Sequence, residues 1–137
     1  MMELTFYTVN RIPVKRRVRF TKSGHSYTDA NTKADMLAVR DAYKGQCFTC
    51  PVALILYIGK QKAKSDKSQE PTPFTVKPDL DNVIKAILDG LNGKAFFDDK
   101  QVTTIYAKKL DRTQAQGEFV RFAIVPASSV TGELVMG

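Results

Sequence analysis

The chain has 137 residues, 43% hydrophobic and 26% charged, with a formal net charge of +7 and a sequence pI of about 9.5. That length fits one domain with one core, and the composition excludes a disordered chain. No apolar run approaches the length of a membrane span, and "MMELTFYTVN" has no basic n-region before an apolar stretch, so neither a membrane anchor nor a signal peptide is expected. A cytoplasmic protein is the resulting expectation.

Glu3 to Val9 alternates, with Leu4, Phe6 and Thr8 on one side, and predicts a strand. A basic segment follows, carrying Arg11, Lys15, Arg16, Arg17, Arg19 and Lys22. Pro13 interrupts it, and "KSGHS" predicts a turn within a hairpin near residues 17–28. A basic protein without a membrane segment fits a nucleic-acid partner, although such charge also serves solubility alone. Asp29 can cap a helix that Gly45 stops, with Met36, Leu37, Val39 and Tyr43 as its apolar face.

Cys47 and Cys50 form a lone CxxC, and His25 is the single histidine. Four-ligand zinc is not expected from one chain alone, though two chains could pool their pairs, and the CxxC precedes a strand rather than opening a helix. Two reduced cysteines at the edge of a buried strand are expected, with His25 solvated in its turn. "PVALILYI", Pro51 to Ile58, predicts a central strand buried on both faces. Residues 59–76 are polar, basic and proline-punctuated, and predict a mobile loop. The basic residues Lys60, Lys62, Lys64 and Lys67 lie within it.

The next helix is predicted from about Asp79 to Leu91 or Asn92, with Leu80, Val83, Ile84, Ile87, Leu88 and Leu91 at helical spacing and Gly93 beyond. Val102 to Leu110 and Glu118 to Val125 predict two strands, joined by the polar "DRTQAQG" as an antiparallel hairpin. Val120, Phe122 and Ile124 share one face of the second strand. Residues 127–137 predict a loose tail. The fold class is therefore α/β: a single domain, residues 1–137, with a mixed sheet and two main helices packed on it, in the order β-(hairpin)-α-β-α-β-β.

The stretch "KPDLDNVIKAILDGLNGKAFFDDKQV" stands out in a basic chain. Four of its five aspartates form two tight groups, Asp79 with Asp81 and Asp98 with Asp99. Helix capping and the helix dipole account for the first group by themselves. A turn accounts for the second. The two groups are nevertheless expected to converge, which requires the chain after Gly93 to double back along the helix. Such carboxylates would need a cation between them, and hard oxygen donors suit Mg²⁺ or Mn²⁺. Lys85, four residues after Asp81, could pair with Asp81 or Asp89, or stabilise charge on a phosphate. Asp89 reads as a structural partner of Lys85 or another base, and Phe96 and Phe97 as core or interface residues.

"KPDLDNVIKAILDGLNG", followed by "DDKQV" and a "YAKK" strand, resembles the RusA family of Holliday junction resolvases of bacteria and their prophages. The early "PVKRRVR" is similar to that family's Pro-x-x-x-Arg-x-Arg segment, a weaker motif. The resemblance extends from the first strand to the final pair of strands. It implies a homodimeric, Mg²⁺-dependent endonuclease that cuts four-way DNA junctions symmetrically in DNA recombination and repair. It implies catalytic roles for Asp79, Asp81, Asp99 and Lys85, and metal ligation by Asp79, Asp81, Asp99 and Asp98. Branched DNA would be held by Lys15, Arg17, Arg19 and Lys77. Lys77 enters because Pro78 stands where some members carry arginine. The competing readings are a non-catalytic basic nucleic-acid-binding module and a Mg²⁺-dependent phosphatase; the second leaves the basic segments without a role.

Overall fold

A computed structural model describes residues 4–15, 19–27, 30–60, 78–110 and 117–130. Among these residues the elements are β1 (Tyr7–Val9), β2 (Arg19–Phe20), β3 (Ser26–Tyr27), α1 (Ala30–Ala42), β4 (Val52–Gly59), α2 (Leu80–Leu91), β5 (Val102–Lys109) and β6 (Phe119–Pro126). The expected order is the observed one. The greater part of the loop expected at 59–76 and of the tail expected at 127–137 lies outside the described residues, although Ala127–Ser129 forms a 3-10 turn.

β4 is buried at every position except the half-buried Tyr57. A strand apolar on both faces needs neighbours on both edges and layers on both sides. The sheet supplies the edges in the order β1-β6-β4-β5. β6 runs antiparallel to both β1 and β4, and β5 runs parallel to β4. β2 and β3 form the separate small hairpin expected near residues 17–28.

The expected β5–β6 hairpin does not form, because the two strands lie on opposite sides of β4. Their burial patterns explain it. β6 buries Val120, Phe122 and Ile124 on one face and Ala123 and Val125 on the other, which suits an interior position. β5 carries Thr103, Thr104 and Ile105 exposed, which suits an edge. A parallel neighbour for β4 needs a crossover, and α2 provides it.

Both helices cover one face of the sheet. Val39 from α1, Tyr43 just beyond its end, and Val83, Ile87 and Leu91 from α2 share a core with Leu54, Leu56, Ile58, Val120 and Phe122. The opposite face holds a smaller cluster of Ala53, Ile55, Ala123 and Val125 beneath Leu4, Phe6, Tyr57 and Tyr106. α1 turns Thr32, Asp35 and Val39 inward, and Tyr43 follows them just past its end, whereas Leu37, expected on that face, is 58% exposed. Position 37 lies about 200° around the helix from Asp35.

The last turns of the helices are tied to each other. Arg40 of α1 donates to the carbonyls of Gly90 (3.5 Å) and Asn92 (2.8 Å), closing off the end of α2. The Lys94 ammonium returns a bond to the Arg40 carbonyl. Gly90 permits this closeness: a Cβ there would stand 2.9 Å from the Met36 carbonyl oxygen and from the Val39 Cβ.

Candidate active site

α2 begins at Asp79, whose backbone is extended (φ −69°, ψ 143°) and whose side chain makes no capping bond. Its carbonyl accepts from the Asn82 and Val83 amides instead. Capping therefore does not account for the Asp79 carboxylate, which is exposed. Asp81 and Lys85 are exposed too, and with Asp89 they occur every fourth residue along one stripe of the helix. Lys15 Nζ lies 2.9 Å from Asp89 Oδ2. Asp89 thus serves a base other than Lys85, one of the two expected options.

The basic segment is pinned along these helices. Asp35, 1% exposed, takes the Arg11 guanidinium at 2.5 Å and the Val14 amide at 3.1 Å. Ile12 and Pro13 are buried between these anchors. The Lys15 amide then donates to the Asn82 carbonyl at 3.0 Å. Lys15 is thereby held within reach of the acid stripe of α2. Arg19 falls in β2 with its side chain outside the described residues, as are Arg17 and Lys77 entirely.

The second acid pair opens a 3-10 turn, Asp99–Gln101, immediately before β5. Asp98 accepts from the Lys100 amide at 3.0 Å. That bond, then the shared hydrogen bond with Asp99, holds its carboxyl below the usual range. Asp99 is pushed the other way, first by the same shared bond, then by desolvation and by the charges of Asp98 and Asp89. Both side chains of the pair are exposed.

The two pairs do not meet within the chain, contrary to the expectation of a return along the helix. Gly93, at φ 80°, starts a tight turn in which its amide donates to the Phe96 carbonyl at 2.8 Å. Phe96, fully buried, is bridged to Phe48 just ahead of β4, and the Phe48 amide donates to the Ala95 carbonyl. The acid turn therefore stays beside the end of α2 and the start of β4. Twelve helical residues, about 18 Å, separate that end from Asp79. Among the described residues, no three or more His, Cys, Asp or Glu side chains gather as a metal-binding group. Phe97, adjacent to Phe96, is 68% exposed. Cys47 and Cys50 are free, as expected, and His25 sits in an exposed turn.

Gln101 went unremarked in the sequence. Its side-chain oxygen accepts from the Phe97 amide (2.8 Å) and the Asp98 amide (3.1 Å). The signal available was its position as the third residue after an aspartate that caps a turn, the spacing of a reciprocal capping pair.

A mixed α/β domain with exposed carboxylates at both ends of one helix, and a basic segment laid against that helix, has the make-up of an enzyme acting on phosphodiesters. Residues 11–120 match the family model of endodeoxyribonuclease RusA, and the chain belongs to that family. The family comprises Holliday junction-resolving endonucleases, so the chain is a nuclease that acts on branched DNA. No curated protein matches it. Among the described residues, no helix is long and apolar enough to cross a membrane.

Proposed function

We propose that this nuclease depends on Mg²⁺, with Mn²⁺ as a substitute, and resolves four-way junctions by paired phosphodiester hydrolysis in DNA recombination and repair. The observation that carries the reading is the exposed Asp79 carboxylate, unused for capping, on the helix against which Lys15 is docked. The donor set fits the ion. Mg²⁺ takes one or two protein carboxylates and completes its shell with waters and substrate phosphates. Each acid pair supplies that many without a four-carboxylate cage. Asp79 with Asp81, and Asp98 with Asp99, would each hold an ion at its own end of α2.

Bound there, the ion supplies charge neutralisation at the phosphate and a water of lowered pKa. Lys85, on the exposed stripe with Asp81, stabilises charge developing on the departing oxygen. Lys15, Arg17, Arg19 and Lys77 hold the DNA backbones through phosphate contacts that carry no sequence information. Paired cuts call for two active centres, so the working form is a homodimer whose two-fold axis matches that of the junction. The enzyme works in the cytoplasm, where prophage and host DNA recombine.

The test is a synthetic four-way junction beside a linear duplex, each incubated with Mg²⁺ and with chelator. Cleavage of the junction in Mg²⁺ alone, at symmetric positions, is the expected result. Cleavage that persists in chelator rejects the metal, and binding without cleavage under every condition returns the protein to a binding module. Light scattering on the same complex reads the two-chain stoichiometry.

Neutralising Arg17 and Arg19 together is expected to weaken junction binding and flatten its salt dependence. Each phosphate that the protein no longer neutralises lowers the log–log slope by about 0.9. An unchanged slope, measured between low and moderate salt in chelator, would assign these arginines to folding or solubility.

A further inference from the structure

We infer that Gln101 is a positioning residue for the Asp98–Asp99 pair, fixing the acid turn against the segment that enters β4. The inference rests on the reading of those aspartates as metal ligands. The Gln101 side chain uses its full hydrogen-bonding capacity. Oε1 accepts from the Phe97 and Asp98 amides, and Nε2 donates to the Phe48 carbonyl at 2.9 Å and the Cys50 carbonyl at 3.0 Å. A carboxamide has two donor hydrogens and one oxygen with two lone pairs, and all four are engaged. Its orientation is not ambiguous, because the amides can only donate and the carbonyls can only accept.

The two ends of this clamp differ in rigidity. Phe48 and Cys50 lead into Val52, which is fully buried in the central strand, and the Phe48 amide is itself bonded to Ala95. Phe97 and Asp98 lie in an exposed turn whose 3-10 helix is three residues long. A helix that short gains little from its own hydrogen bonds, and two adjoining carboxyls push against it. The accepting half of Gln101 would suffice to close a capping box. The donating half adds something a cap does not need, a link from the acid turn to the sheet. A link of this kind sets where ligand oxygens stand before the ion arrives.

Gln101→Met keeps the length and removes all four bonds, whereas Gln101→Asn keeps the carboxamide but is one methylene too short to reach both sides. Three quantities are read: Mn²⁺ affinity of the DNA-free protein, from the electron paramagnetic resonance signal of free Mn²⁺; the Mg²⁺ concentration for half-maximal junction cleavage; and junction affinity in chelator. For Gln101→Met, Mn²⁺ affinity is expected to fall about 10- to 100-fold, the size of effect seen for groups that orient metal ligands. The Mg²⁺ midpoint should rise in parallel, cleavage should recover at high metal, and junction affinity in chelator should stay near wild type. A purely structural role lowers the melting temperature without moving Mn²⁺ affinity in the folded variant, and that result overturns the inference. If Gln101→Met does not fold, Gln101→Asn decides on the same criterion. A wild-type chain that binds no Mn²⁺ overturns the metal reading itself, and this inference with it.

Discussion

Asp81→Asn is expected to lower junction cleavage about a thousandfold, the scale of removing one electrostatic interaction with a reacting centre, while junction binding persists. Asparagine is nearly isosteric with aspartate. Asp81 is exposed in the first turn of α2, where its carboxylate favours the helix start by about 0.3–1 kcal/mol through the dipole. Folding should therefore suffer little. The amide is a poorer ligand for a hard cation than a carboxylate. Affinity for DNA, proposed above to rest on lysine and arginine, should hold or rise as repulsion between acid and phosphate falls. A gel assay follows cutting in Mg²⁺ and binding in chelator. Cutting at the wild-type rate would remove Asp81 from the mechanism. Loss of both cutting and binding, with a lower melting temperature, would make its role structural.

The second large effect is on stability. Arg11→Ala is expected to cost about 2–4 kcal/mol, because it leaves Asp35, 1% exposed, without the guanidinium that faces it. Arg11 itself is 45% exposed, so water can enter where it stood, which keeps the expected loss toward the lower half of that range. For a chain of this size that corresponds to a fall of about 10 °C in melting temperature. Replacing Asp35 by alanine as well should cost less than the sum of the two single changes, since the interaction between the two charges is then lost only once. Thermal unfolding followed by circular dichroism reads all three variants. A change below about 0.5 kcal/mol for Arg11→Ala would place the pair among ordinary surface interactions.

What the sequence revealed and what it hid divide along physical lines. β4 was legible because an unbroken apolar run, bounded by Pro51 and Gly59, leaves no room for another pattern. α2 was legible because Val83, Ile87 and Leu91 repeat at the helical period and Gly93 ends the run at φ 80°. The partners of β5 were not legible. Local turn chemistry between 110 and 118 suggested a hairpin, and only the competition among strands for β4 decides otherwise. α1 misled for a similar reason. Its inward face carries Thr32 and Asp35, so apolarity alone pointed to Leu37, which faces solvent. The acids and Lys85 stand out by type and spacing as candidates, and the family match agrees with the resemblance those motifs carry. The separation of the acid pairs depends on a long-range bridge between Phe48 and Phe96, which no local pattern records.

The placement of β6 between β1 and β4 has a consequence for how the chain is made. β1 ends at Val9 and β4 at Gly59, yet the strand that joins them begins at Phe119. While a ribosome is still adding the residues in between, β1 and the antiparallel edge of β4 have no neighbour. The centre of the sheet can close only after β6 has emerged. Pairings so distant in sequence slow folding, and an unpaired apolar strand such as β4 is exposed to aggregation in the interval. At about 5–20 residues per second, the sixty positions from the end of β4 to the start of β6 keep it waiting for several seconds. Slowed translation across 60–118 should lower the soluble yield, and a chaperone that shields β4 during that time should restore it.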